Sequence, residues 1–408
     1  MTPTTPTTHS WNTQPTRSYS DVVVEDDLRD SLQSVRASRP SLDHRRQVLD
    51  LEAEIGVRMA FLGFPAASEP EQNLCAELVA HIANQHLPIT PILMARALER
   101  DIEPILRIAQ QSSVEVLVDL YIPTSTIRMQ VEGWTLDRCL EQLHQVAAIA
   151  EANGLDYRVA FEDSTRTSPQ DLRRALALAR ELGTPCVVLN DTAGDCLPEG
   201  ARAHVASARA ELEGSGIALA WHGHNDRGLA LANALAAIDG GARIVSGTWL
   251  GVGERTGNIA LEQLIHVLHM RGGRFRIDQL TAMADLIRTS LDVVVPPNMP
   301  IVGTDAFSTS TGTHAAAIVK ARRLGPAFED RIYSGVSAHA LGRIQEILIG
   351  PNSGRGAIQT VLTAFGFEPD EDTVQRVLHY CKSTNRCLTD PEEIRTVIQT
   401  QIGTTTPR

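Results

Sequence analysis

From Val22 to Gly247 the chain alternates short β-branched runs with longer amphipathic stretches, and this alternation limits its fold more than any other feature. The candidate strands are Val22–Glu25, Val57–Leu62, Ile89–Met94, Val114–Leu120, Tyr157–Phe161, Cys186–Leu189, Ile217–Trp221 and Arg243–Gly247. Helical patterns lie between them, among them Asp43–Ile55, Glu71–Asn84, Leu136–Asn153, Gln170–Leu182, Glu199–Leu212 and Gly228–Ile238. Ser41, Thr135 and Ser168 stand where N-caps belong, because a short side-chain oxygen there can accept a free amide of the first turn. Gly154, Gly183 and Gly240 offer left-handed stops. Eight successive βα units predict an α/β fold of the (β/α)8, or TIM, barrel type. A doubly wound sheet is the alternative, but such sheets usually stop at five or six strands.

The flanks read differently. Met1–Ser18 is rich in Thr and Pro and almost free of aliphatic side chains, so burial cannot offset its ordering entropy and a disordered tail is expected. After Glu262 the strand signal fades. Helical patterns then cover Leu261–Met270, Ile277–Ser290, Gly356–Phe365, Glu371–Lys382 and Pro391–Ile402, with a Gly/Pro/Ser/Thr-rich stretch at Pro296–Gly312. The expected organisation is a tail over 1–18, a barrel over 19–275 and a mostly helical accessory region over 276–408. A net charge of −12 argues against nucleic acid or an anionic membrane as partner, since both require a basic face. No run approaches the length of a membrane span, and the first residues lack the apolar core of a secretory signal. Six cysteines without a CxxC pair read as reduced thiols, hence a cytoplasmic protein.

Chemistry concentrates where the strands end. Residues two apart on a strand face the same way, so His222 and His224, after Ile217–Trp221, present both imidazoles to one side. A barrel gathers its working residues at the carboxyl ends of its strands. Those positions hold Asp26–Gln33, Glu162–Arg166, Asn190–Gly194, His222–Asp226 and Gly251–Asn258. One carboxylate with two imidazoles suits a divalent ion that keeps positions open for substrate. The same trio describes the facial triad of non-haem iron oxygenases, but those sites sit in antiparallel β sandwiches, and long helices dominate here.

The segment His222-Gly223-His224-Asn225-Asp226-Arg227-Gly228 resembles a signature of the metal-dependent acyl-CoA condensing enzymes, the 2-isopropylmalate, homocitrate and citramalate synthases. Leu28-Arg29-Asp30-Ser31-Leu32-Gln33 is similar to their LRDGxQ motif, with Ser31 in place of glycine. Gly251–Glu262 resembles the synthase-type loop and lacks the cysteine of the hydroxymethylglutaryl-CoA lyases. The resemblance implies that Asp30, His222 and His224 bind a divalent cation (magnesium, manganese, cobalt or zinc), with Asn258 a weaker fourth ligand. It implies that Arg29 steadies a developing alkoxide, that Glu162 is an active-site acid and that Gln33 and Thr192 meet the substrate. His314, in a segment similar to the family's SGIH run, matches an acid/base reaching a neighbouring subunit, with Tyr333 beside it. Acetyl-CoA and a 2-oxo acid are the implied substrates, and a homodimer the implied assembly. Whether His314 or Glu162 is the base stays open.

Three departures bear on the substrate. Phe61 stands where the family usually has glutamate, Arg128 where histidine is common, and Ile349–Arg355 replaces a GKHSGR-like run. Losing a carboxylate and gaining an arginine makes the barrel mouth more positive. That favours an oxo acid with an extra anionic group, such as 2-oxoglutarate, oxaloacetate or phosphonopyruvate, unless Arg128 merely pairs with Asp101 or Glu132. Isopropylmalate or citramalate synthesis, or a silent paralogue that binds a partner, are the competing readings. No further regulatory domain follows the helical region, so feedback control through such a domain is not expected.

Overall fold

A computed structural model describes residues 19–403; the expected tail through Ser18 lies outside them. Strands β1 (Val23–Asp26), β2 (Met59–Gly63), β3 (Thr90–Arg96), β4 (Leu117–Pro123), β5 (Asp156–Glu162), β6 (Cys186–Asp191), β7 (Ala218–Gly223) and β8 (Ile244–Gly247) form a closed barrel. Each pairs in parallel with the next, and β1 closes the ring on β8. The expected barrel is the observed one. Strand β4 starts later than expected because the Ser112 hydroxyl bonds both the carbonyl and the amide of Val114, each at 3.0 Å, and holds that segment in a turn.

Period-two alternation sorts the side chains. On β5, Arg158, Ala160 and Glu162 line the barrel interior, while Val159 and Phe161 are buried on the other face. On β7, His222 faces inward and Trp221 is buried on the outer face. The helices start as their caps predict. Ser41 accepts from the His44 amide, Thr135 from Arg138 and Ser168 from Asp171. Gly240 differs from expectation. It lies inside helix Ala230–Gly240, and Gly241, with φ of 128°, makes the stop. A Cβ at residue 240 would come within 2.6 Å of the Arg202 carbonyl, so glycine is needed there for close helix packing.

The chain divides into two compact units, with the boundary between Val294 and Val295. Helix Leu280–Leu291 belongs with the barrel, where the Leu291 carbonyl accepts the Ser38 amide at 2.7 Å. The second unit packs helices Arg355–Ala364, Glu371–Ser383 and Pro391–Gly403 around Ile358, Leu362, Val374, Val377 and Ile398. It also holds helices Gly312–Arg322 and Pro326–Ile332, and Ser308–Thr309 paired in parallel with Glu346–Ile347, none of which the periodicity indicated. All six cysteines are free thiols. Among the described residues no helix is long and apolar enough to cross a membrane.

Candidate active site and metal centre

Strand β1 runs directly into a single helical turn, Leu28–Ser31. The Asp27 carboxylate caps it by accepting the Asp30 amide at 2.9 Å and binds Arg29 Nη2 at 2.8 Å. The Gln33 amide spans the same pair. Its nitrogen donates to Asp30 Oδ1 and its oxygen accepts from Arg29 Nη1, both at 2.9 Å. Asp27 and Gln33 thereby brace the Arg-Asp dipeptide from two sides. Ser31 is no obstacle, because its backbone is helical and requires none of glycine's freedom.

His222 and His224 meet Asp30 over the barrel axis. Each Nε2 lies 3.5 Å from Asp30 Oδ2, and the rings sit edge to face with centroids 5.2 Å apart. One ligand atom from each of the three residues falls within 4.8 Å of the others, and all three are buried. His222 Nδ1 bonds the Ser246 hydroxyl at 3.3 Å, which fixes the ring and leaves Nε2 for the centre. Asn258 Nδ2 donates to Asp30 Oδ2 at 2.7 Å, while its buried oxygen and His224 Nδ1 have no partner. Burial works against a charged Asp30, yet the His222 hydrogen bond and the Arg29 charge outweigh it and hold the carboxyl well below its usual range. Burial, reinforced by His222, lowers His224 to about 4, so this ring is neutral at pH 7 and offers a lone pair. A buried carboxylate with two converging imidazole nitrogens fits a divalent cation.

The centre opens into a cavity of about 250 Å³, below the ~300–1,000 Å³ usual for drug-sized ligands and suited to a small acid. Arg29, Gln33, Arg128, Glu162 and Thr192 all line it. The Thr192 hydroxyl accepts the Asp163 amide at 2.9 Å, leaving its own proton for a ligand. Burial raises the Glu162 carboxyl, and Arg128 partly offsets the rise. Arg128 does pair with Glu132, at 3.3 Å, but not with Asp101, which Arg96 holds at 2.7 Å. It also approaches Glu162 at 4.0 Å and faces the cavity. His314 and Tyr333 belong to the second unit, where their rings stack with centroids 3.9 Å apart.

Sequence reading missed the floor of this cavity. Arg158 on β5 is buried and bound by Asp119 on β4 and Glu25 on β1, the latter through both terminal nitrogens. Its guanidinium faces the Phe61 ring at 5.8 Å, and Arg29 faces the same ring at 5.1 Å. Arg158 sits two and four residues before Ala160 and Glu162, so the strand alternation did carry a signal. Arg255 was missed as well. With φ of 57°, it grips Asp226 through two nitrogens and donates to the Thr192 carbonyl at 2.6 Å. It thus ties together the loops after β6, β7 and β8.

Fold and site together define a parallel βα barrel with a two-histidine, one-carboxylate centre at the carboxyl ends of its strands. Residues 22–293 match the HMGL-like family, and the chain belongs to it. It is 30% identical over 366 residues to a homocitrate synthase of Methanopyrus kandleri, covering 89% of this chain and 87% of that one. A homocitrate synthase of Pyrococcus horikoshii is 30% identical over 370 residues (90% and 96% covered). A 2-isopropylmalate synthase of Xylella fastidiosa is 29% identical over 379 residues (90% and 70%). Among solved structures, an HMG-CoA lyase of Bacillus subtilis superposes with a TM-score of 0.58 at 17% identity, covering 68% of this chain and 96% of that one, a likeness of fold.

Proposed function

We propose that this chain is an acyltransferase that condenses acetyl-CoA with a 2-oxo acid and hydrolyses the thioester, yielding a 2-substituted malate or homocitrate-type product. The observation that carries this reading is the convergence of Asp30, His222 and His224 within 4.8 Å of one another, in a cavity that also holds Arg29 and Thr192. The naming of its relatives as homocitrate and 2-isopropylmalate synthases supports it.

Asp30, His222 and His224 would hold a divalent cation, with Asn258 a weaker fourth ligand once its amide oxygen turns inward. Bound there, the ion supplies Lewis-acid polarisation of a chelating 2-oxo acid. The Thr192 hydroxyl donates a hydrogen bond to the substrate carboxylate, and Gln33 holds Arg29 and Asp30 in place. A base removes a proton from the acetyl methyl group, and the resulting carbanion attacks the keto carbon. As the new C–C bond forms, the carbonyl pair moves onto oxygen, where Arg29 meets the developing charge. Water then cleaves the thioester, releasing the CoA thiol and a carboxylate. Glu162, raised by burial, is suitable as the base from within the barrel. His314 is the alternative, delivered from a second copy in a homodimer, with Tyr333 stacked on it.

The oxo acid carries a second anionic group, as 2-oxoglutarate, oxaloacetate and phosphonopyruvate do. Arg128 supports this choice, because it lines the cavity and its ion pairs at 3.3 and 4.0 Å leave donors for a substrate anion. Release of free thiol from acetyl-CoA, followed with a thiol reagent across a panel of oxo acids with metal supplied, tests the proposal. Thiol release above background with a dianionic acid is expected. Silence across the whole panel sinks the enzymatic reading in favour of a partner-binding paralogue, and preference for 2-oxoisovalerate sinks the anionic substrate.

A further inference from the structure

The stacked rings of His314 and Tyr333 lie at the surface of the second unit, where burial alone does not hold them. Their planes are 24° from parallel, yet His314 is exposed and Tyr333 keeps 50% of its surface open. Tyr333 follows helix Pro326–Ile332 with φ of −142°, so its backbone has already left the helix. The segment beyond it is fixed by Asp330, which stands three residues before the tyrosine. This carboxylate is only 7% exposed. The Ser337 hydroxyl donates to its Oδ2, and His339 brings its amide to Oδ1 at 3.4 Å and its Nδ1 at 2.8 Å. A carboxylate only accepts, so Nδ1 of His339 carries the proton. Burial opposes the charge of Asp330, but the Ser337 and His339 bonds outweigh it and lower the carboxyl below its ordinary value. Residues 330–339 thus close into a small loop with Tyr333 inside it. Ser334 tightens that loop by accepting the Val336 amide at 3.2 Å and donating to the Val336 carbonyl at 2.6 Å. The neighbouring Glu329, equally buried, accepts Arg322 Nε at 2.7 Å. It ties helix Gly312–Arg322, which carries His314, to the helix that leads into Tyr333. Two adjacent carboxylates therefore hold the two sides of the stack, Glu329 through the helix pair and Asp330 through the chain beyond the tyrosine.

We infer that Asp330 is a positioning residue for the His314–Tyr333 pair: by strapping Ser337 and His339 to the end of its helix, it keeps the tyrosine ring on the imidazole. This rests on the reading that His314 serves the condensation as acid or base. Proton transfer requires the two heavy atoms within hydrogen-bond reach, and a misplacement of about 1 Å can cost roughly a hundredfold in rate. An exposed side chain exchanges rotamers freely. Stacking against a fixed ring restricts that exchange, so an unstrapped Tyr333 leaves His314 without a set direction. The carboxylate itself acts only through these neighbours.

The test uses NMR of the full chain carrying isotopically labelled histidine, with the His314 ring signal assigned by its absence from His314→Gln. A stacked tyrosine displaces the signals of the ring it covers, so Tyr333→Leu marks the unstacked position. Asp330→Ala is expected to move the His314 signal to that position. Asp330→Asn, which keeps an acceptor oxygen for His339, should leave it near the wild-type position. Thiol release from acetyl-CoA should show kcat lowered roughly 10²-fold in Asp330→Ala, with KM for the oxo acid unchanged. Adding Asp330→Ala to His314→Gln should cost nothing further, because the two act as one unit. A His314 signal unmoved in Asp330→Ala overturns the inference. So does wild-type kcat in that variant when His314→Gln has lost turnover. Wild-type turnover in His314→Gln instead defeats the reading of His314 as acid or base, and absence of thiol release altogether defeats the condensing reading. In both of those cases the ring signal still decides whether Asp330 holds the stack. Should Asp330→Ala fail to fold, Ser337→Ala removes a single bond of the strap and is expected to move the signal part of the way. An unmoved signal there overturns the inference equally.

Discussion

His222 Nε2 lies 3.5 Å from Asp30 Oδ2, although one residue ends the seventh barrel strand and the other follows the first. Closing the barrel from β1 to β8 makes that approach possible, because β7 is then two strands from β1 around the ring. The carboxylate so placed carries two imidazoles and the Asn258 amide at once. Three side chains, from the carboxyl ends of β7 and β8, depend on it.

Removing that carboxylate should therefore abolish metal binding. Asp30→Asn keeps the shape and loses the charge, and His222→Ala loses a ligand nitrogen. Both are expected to lower condensation by roughly a thousandfold, the scale of losing a dominant electrostatic stabiliser. Metal content after dialysis against a chelator and reloading checks the cause, since stoichiometric retention in either variant contradicts the assignment.

Asn258→Ala tests a weaker support. Its amide donates to Asp30 Oδ2 at 2.7 Å, and losing such a partner commonly reduces metal affinity roughly 10- to 100-fold. Competition titration with a chromophoric chelator measures this. Full wild-type affinity would show that the amide contributes nothing to the centre.

Arg29→Met should act on turnover more than on binding. Burial opposes its charge, but Asp27 and Asp30 outweigh that effect and keep the guanidinium protonated. If it meets charge that appears only in the transition state, kcat falls roughly 10²- to 10³-fold while KM for the oxo acid changes little. An equal change confined to KM would assign it to ground-state binding.

Arg128→Ala should distinguish substrates. We expect roughly tenfold lower kcat/KM for oxaloacetate and 2-oxoglutarate, the order of one charge-assisted hydrogen bond, and no change for pyruvate. Steady-state kinetics on the three acids decide it, with uniform effects counting against a role in recognising the second anionic group.

Stability should fall with rising pH because of Glu262. This carboxyl is fully buried, with Oε2 accepting the Leu250 amide at 3.0 Å and Oε1 without a partner. Burial raises it from the ordinary 4.5 to about 7, with the backbone bonds only partly opposing. Between those values the folded state holds a proton that the unfolded chain has released. Its contribution is thus complete below about 4.5 and is lost as pH rises through about 7. The effect is on the order of 3 kcal/mol. Urea unfolding across this range should show the decline, and Glu262→Gln should make it shallower, with buried Glu52, also raised to about 7, supplying part of what remains.

Much of the fold was legible because the period-two and helical patterns are local. Eight runs, their caps at Ser41, Thr135 and Ser168, and the glycine stops at Gly154 and Gly183 express backbone preferences within a few residues. The His-x-His pair was legible for the same reason, since alternation alone aims both rings one way. The short ladder between Ser308–Thr309 and Glu346–Ile347 was not. Two residues per strand carry no period.

What the sequence by itself determined was the inventory of elements and which side chains stand at the strand ends. Only the tertiary structure decided who meets whom. Phe61 looked like a lost carboxylate, yet the closed barrel brings its ring against both Arg29 and Arg158. Arg158 looked like an ordinary strand residue, yet Glu25 and Asp119 reach it from two other strands. Such partners are brought together by ring closure, and a linear pattern holds no record of distances across a barrel.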